Sequence, residues 1–93
     1  MDQWTFENLI RGVSKHLLPG LALETQDSFP GIVQTPNIMI RTRGGLVTSN
    51  LSIEKFMDVA SSLRQAGNTY EEAVKELYEL LKRETAVQMI FNK

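Results

Sequence analysis

The dipeptide Gly44-Gly45, set between two short runs of strand-forming residues, limits what this chain can fold into more than any other feature. Two-residue hairpin loops require positive φ, which glycine adopts without steric cost. Ile38 to Arg43 precedes the glycines and Leu46 to Ser49 follows them, so the spacing predicts a β-hairpin over 38–49. Alternation then assigns the faces: Ile38, Ile40 and Thr42 point one way, and Met39, Arg41 and Arg43 the other. With Gly44-Gly45 as the loop, Arg43 pairs with Leu46 and Arg41 with Thr48, and Val47 joins the isoleucine face. One face is expected to be core. The other is expected to present Met39, Arg41, Arg43, Leu46 and Thr48 to solvent.

Helical periodicity brackets the hairpin on both sides. Phe6, Leu9, Ile10, Val13 and Leu17 recur at helical spacing, which predicts a helix over about residues 4–17, stopped by Pro19-Gly20. Gly12 in its middle costs ~1 kcal/mol against alanine, so a neighbour packs closely there or the helix is weakened. Leu21 to Thr25 alternates as a strand, Gln26 to Gly31 is turn material, and Ile32-Val33-Gln34 is a short β-branched run broken by Pro36. From Ser52 the period changes. Ile53, Phe56, Met57, Ala60 and Leu63 read as a helix capped by Ser52 and closed at Gly67. Thr69 with Glu72 has the form of a capping box, and Tyr70, Val74, Leu77 and Leu81 form the stripe of a helix over about 70–84. Val87, Met89 and Phe91 alternate with Gln88 and Ile90, which suggests a closing strand, with an extension of the helix as the alternative over Ala86 to Phe91.

These elements predict an α+β fold: a small antiparallel sheet of three to four strands, packed by an N-terminal helix and two consecutive C-terminal helices. Ninety-three residues with 42% hydrophobic content suit one domain over 1–93. No apolar run approaches the ~18 residues of a membrane span, and Met1 to Trp4 lacks the basic start of a secretory signal. A cytoplasmic protein with no membrane partner is therefore expected.

The inventory is poor in catalytic chemistry. There is no cysteine, and His16 is the sole histidine, so thiolate and multi-histidine metal sites are excluded. No phosphate loop or dinucleotide fingerprint occurs. Glu24 and Asp27 read as a solvated turn rather than a metal pair, and Glu71 and Glu72 as acids complementing a helix N-terminus. A non-enzymatic domain without cofactor or metal is expected. The last helix sets Glu71, Glu72, Glu76, Glu79 and Glu84 against Lys75, Lys82 and Arg83, which disfavours its insertion into a DNA groove.

What stands out is a gap in the acids. Ser28 to Ile53 spans 26 residues whose only charges are Arg41 and Arg43, in a chain with ten basic and eleven acidic side chains overall. Methionine and arginine are enriched in protein interfaces, and apolar side chains beside arginine can form an anchor. The expected function is a non-catalytic interaction domain whose hairpin face, Met39, Arg41, Arg43, Leu46 and Thr48, meets a protein partner or a second copy of the chain. The alternative is a nucleic-acid-binding module contacting phosphates through Arg41 and Arg43, with Arg11 and Lys15 from the first helix. Changing Arg41 and Arg43 to Glu is expected to abolish partner capture with little effect on stability.

Overall fold

A computed structural model describes residues 2–24 and 36–91. Helix α1 (Phe6–Ser14) begins at Thr5, whose hydroxyl accepts from the Asn8 amide at 3.2 Å. It buries Leu9, Ile10 and Val13 and ends earlier than its apolar stripe suggests. Lys15, His16 and Leu17 donate to carbonyls three residues back, so the last turn tightens while Leu17 stays buried.

Strands β1 (Ala22–Glu24), β2 (Asn37–Thr42) and β3 (Gly45–Ser52) form an antiparallel sheet in the order β1-β2-β3. The expected short run Ile32-Val33-Gln34 and the turn before it lie outside the described residues. The hairpin is present, but its register differs from the expectation. Thr42 pairs with Gly45 and Arg41 with Leu46, so Arg43-Gly44 is the loop. The Thr42 hydroxyl explains the choice: it accepts from the Gly44 amide at 3.1 Å and donates to the Gly45 carbonyl at 2.8 Å. Positive φ is needed at Gly45, at +123°. A shift of two positions keeps every side chain on its face, but it moves Arg43 off the ladder and onto the tip.

At its other end the hairpin is bulged. Two steps along β2, from Asn37 to Met39, match four along β3, from Thr48 to Ser52. The buried Ser49 hydroxyl fills the gap, donating to the Ile38 carbonyl at 2.7 Å and accepting from the Leu51 amide at 3.2 Å. The amide of Asn50 is turned outward to the Glu84 carbonyl at 2.7 Å, which fastens the sheet to the C-terminal helix.

Helix α2 (Ile53–Gln65) is capped by Ser52, and its end is closed by Gly67 at φ +92°, with Asn68 N–H reaching the Leu63 carbonyl at 3.1 Å. Helix α3 (Tyr70–Arg83) opens with the expected capping box: Thr69 and Glu72 satisfy each other's amides at 2.8 and 3.2 Å. The helices cover the sheet face that carries Ile38 and Ile40, and Leu9, Val13, Ile38, Ile40, Leu51, Phe56, Leu77 and Leu81 are fully buried there. Among the described residues no helix is long and apolar enough to cross a membrane.

The expected closing strand is a 3₁₀ turn, Gln88–Ile90. The Gln88 side-chain amide donates to the Lys82 carbonyl at 2.7 Å and also to that of Thr85, satisfying groups at the end of α3. Phe91 then folds back to pack edge-on against Tyr78, with ring centroids 6.2 Å apart. Five alternating residues are too few to separate a strand from such a cap.

Candidate interaction surface

The hairpin brings most of the expected site residues to one face and removes one of them. Leu46, Thr48, Arg41 and Arg43 are exposed. Met39, expected beside them, is 7% exposed and contributes no contact surface. It lies opposite Glu24 in the β1–β2 ladder.

Arg41 is not a free cation. Its Nε lies 2.6 Å from Oε1 of Glu24, whose side chain is 6% exposed while that of Arg41 is 60% exposed. The two residues are diagonal neighbours on adjacent strands, since Ala22 pairs with Arg41 and Glu24 with Met39. The guanidinium N–H does not line up on that oxygen, which accepts no directed hydrogen bond, so the pair is held by charge proximity. Glu24 is thus a buried carboxylate rather than part of a solvated turn, and the acid missing from the hairpin's sequence arrives from the neighbouring strand. Acids counted along the chain cannot reveal this. The alternation of Leu21 to Thr25 could have done so, because it sets Glu24 on the face opposite Leu23.

Arg43 sits at the hairpin tip with its guanidinium over Gly20, where Nε is 3.6 Å from the position a Cβ would take. Among the described residues it has no acidic partner within ion-pair distance. Leu46 is 38% exposed, one of four large apolar side chains left in solvent among the described residues. It occupies β3, an outer strand of the sheet among the described residues. One side of an edge strand has no ladder partner and can accept another extended segment.

Arg11 and Lys15 do not join this face. They line a cleft of about 430 Å³ between α1 and α3, to which Asn8, Gly12, His16 and Tyr70 also contribute and no described hairpin residue does. The Tyr70 hydroxyl donates to the Asn8 carbonyl. Burial raises the Tyr70 phenol above its ordinary value, Arg11 opposes that rise and Glu71 adds to it. The hydroxyl therefore stays protonated through the neutral range. Compared with protein-family models, with curated proteins and with solved structures, the chain gives no significant match to any.

Proposed function

We propose that this chain is a non-catalytic protein–protein interaction domain, a small accessory, inhibitor or adaptor protein, docking through the outer strand of its hairpin. The observation that carries the reading is the placement of Leu46. It is a large apolar side chain held in solvent on an edge strand, between exposed Thr48 and the exposed arginines 41 and 43. Arginine is enriched at the energetic centres of interfaces, and an apolar side chain beside it adds area that is removed from water on docking. The fitting partner is a protein that adds an extended segment beside β3 and carries carboxylates towards the hairpin tip. In this reading the domain works in the cytoplasm and needs no cofactor.

The test must leave Arg41 in place, because its charge neutralises buried Glu24. Leu46→Gln, which sets no new charge opposite Arg41, with Arg43→Glu should abolish capture of the partner in a pull-down with mass-spectrometric identification. The thermal midpoint should stay within about 5 °C, as each surface change of this kind usually costs no more than about 0.5 kcal/mol. Undiminished capture by the double variant would refute the reading. Retention of single-stranded or duplex oligonucleotides in a gel shift, weakening steeply with salt, would replace it with phosphate contact through the same arginines.

A further inference from the structure

We propose that the cleft between α1 and α3 is a binding site for a small phosphomonoester, separate from the hairpin surface. Arg11 in the last turn of α1 and Lys15, the residue that caps its end in helical backbone geometry, stand four positions apart and are both exposed. Neither has a carboxylate within ion-pair distance among the described residues, whereas Arg41, Arg64 and Lys82 each have one. The hydrogen bond Arg11 does make goes to the neutral amide oxygen of Asn8, at 3.3 Å. Like charges at this spacing repel by a few tenths of a kcal/mol in a helix, and a bound anion would remove that cost. No carboxylate lines the cleft among the described residues. This concentration of cations arises in a chain whose formal net charge is -1.

The walls are fixed before any ligand arrives. The Tyr70 hydroxyl is anchored on the Asn8 carbonyl, and α3 lies so close to α1 that a Cβ on Gly12 would come within 2.7 Å of that hydroxyl and 2.8 Å of Val74 Cγ2. A preorganised site loses less freedom on binding. The cation pair also matches the ligand: arginine presents a planar fork to two phosphate oxygens, and lysine a compact charge to a third. A volume of about 430 Å³ leaves room beyond the phosphate for an organic group, with the Tyr70 ring and Val74 as its apolar wall. That room distinguishes a phosphomonoester from the free inorganic ion.

The experiment is a two-dimensional amide NMR titration of the intact chain with ribose 5-phosphate, ribose and inorganic phosphate. Ribose 5-phosphate should shift the amides of Arg11 to His16 and Tyr70 to Val74 saturably, and ribose should not. Inorganic phosphate should shift the same amides but bind more weakly. Arg11→Gln with Lys15→Gln should weaken binding about tenfold or more, and Arg11→Lys should recover part of it. The spectrum of each variant shows directly whether it is folded. Absence of saturable shifts up to about 10 mM ligand overturns the proposal. So does equal binding by the Gln variant, or equal affinity for phosphate with and without the sugar. An oligonucleotide whose shifts run from the cleft onto the hairpin would assign these cations to nucleic acid instead. The titrations with ribose 5-phosphate, ribose and inorganic phosphate do not depend on Leu46 or Arg43, so their failure leaves the hairpin reading standing.

Discussion

Gly12 lies against Tyr70: a methyl group on Gly12 would sit 2.7 Å from the tyrosine hydroxyl, well inside contact distance, and 2.8 Å from a methyl of Val74. A glycine in the middle of a nine-residue helix is thus a packing device that lets α3 approach α1. Gly12→Ala gains ~1 kcal/mol of helix propensity and suffers overpacking of about 1–3 kcal/mol. The clash should win, because one obstacle is a branched side chain inside the core. Urea denaturation should show Gly12→Ala less stable by about 1–2 kcal/mol. Adding Tyr70→Phe or Val74→Ala should make the second change cheaper than it is in the parent chain, a coupling that a double-mutant cycle isolates. Additive effects would mean the helices do not meet as closely as this.

The Glu24–Arg41 pair gives an asymmetric expectation. Arg41→Ala strands a carboxylate whose side chain is 6% exposed. A buried unpaired charge usually costs 3–5 kcal/mol, but Arg41 is itself mostly in solvent, which reduces the figure to about 1–2 kcal/mol. Replacing both partners, Glu24→Leu with Arg41→Met, should recover most of that loss, since no polar group is then stranded. Thermal denaturation of the single and double variants measures the difference. If Arg41→Ala proves neutral, Glu24 does not depend on its neighbour, and Arg41 returns to the set of free surface cations.

Why the hairpin's faces could be read from the chain, and its register and partners could not, is visible in these same residues. Alternation from Ile38 to Thr42 determines which side chains share a face, and a shift of two positions leaves that unchanged. Arg41 and Leu46 are therefore neighbours in either register. The loop was decided by a side chain: Thr42 hydrogen-bonds around Arg43-Gly44, and this competes with the preference for Gly44-Gly45. Met39 departs from its expected exposure for a different reason. Face assignment gives direction and not cover, and Met39 faces away from the isoleucines yet is 7% exposed. The helices were more legible because caps are local: Ser52, Gly67, Thr69 and Glu72 each act within a few residues of themselves. Glu24 reaches Arg41 across a ladder whose pairing no local rule supplies.

Ser49 should be the most sensitive polar position in the sheet. Its hydroxyl is buried and serves the Ile38 carbonyl and the Leu51 amide at the bulge. Ser49→Ala removes both bonds and leaves a backbone donor and acceptor without a partner, at about 1–3 kcal/mol. Because the bulge turns the Asn50 amide to the Glu84 carbonyl, hydrogen exchange at Asn50 should accelerate in the variant as well. Unchanged stability with unchanged exchange would mean water replaces the hydroxyl without penalty.

At the N-terminal end, Asp2, Trp4 and Arg64 form a clasp that should open in acid. Asp2 Oδ1 accepts from the Trp4 amide at 2.9 Å, Oδ2 lies 3.3 Å from Arg64 Nη1, and the guanidinium stands 5.4 Å from the Trp4 ring centroid. The backbone hydrogen bond from Trp4 holds the Asp2 carboxyl below its ordinary value against the opposing effect of desolvation, and the Arg64 charge adds a smaller lowering contribution. A carboxylate depressed on folding contributes stability above its unfolded pKa and loses that contribution as pH falls through the folded one. The clasp should therefore be intact at neutral pH and open only below about pH 4. Trp4 is the chain's single tryptophan, so its fluorescence reports on the clasp and on the Tyr70 ring packed edge-on against it. The emission should change in one step across that range. Asp2→Asn should abolish the step, and Arg64→Gln should move it slightly towards the ordinary carboxylate value while leaving most of the depression, because the Trp4 amide remains. An unchanged step in Asp2→Asn would place the titrating group elsewhere in the protein.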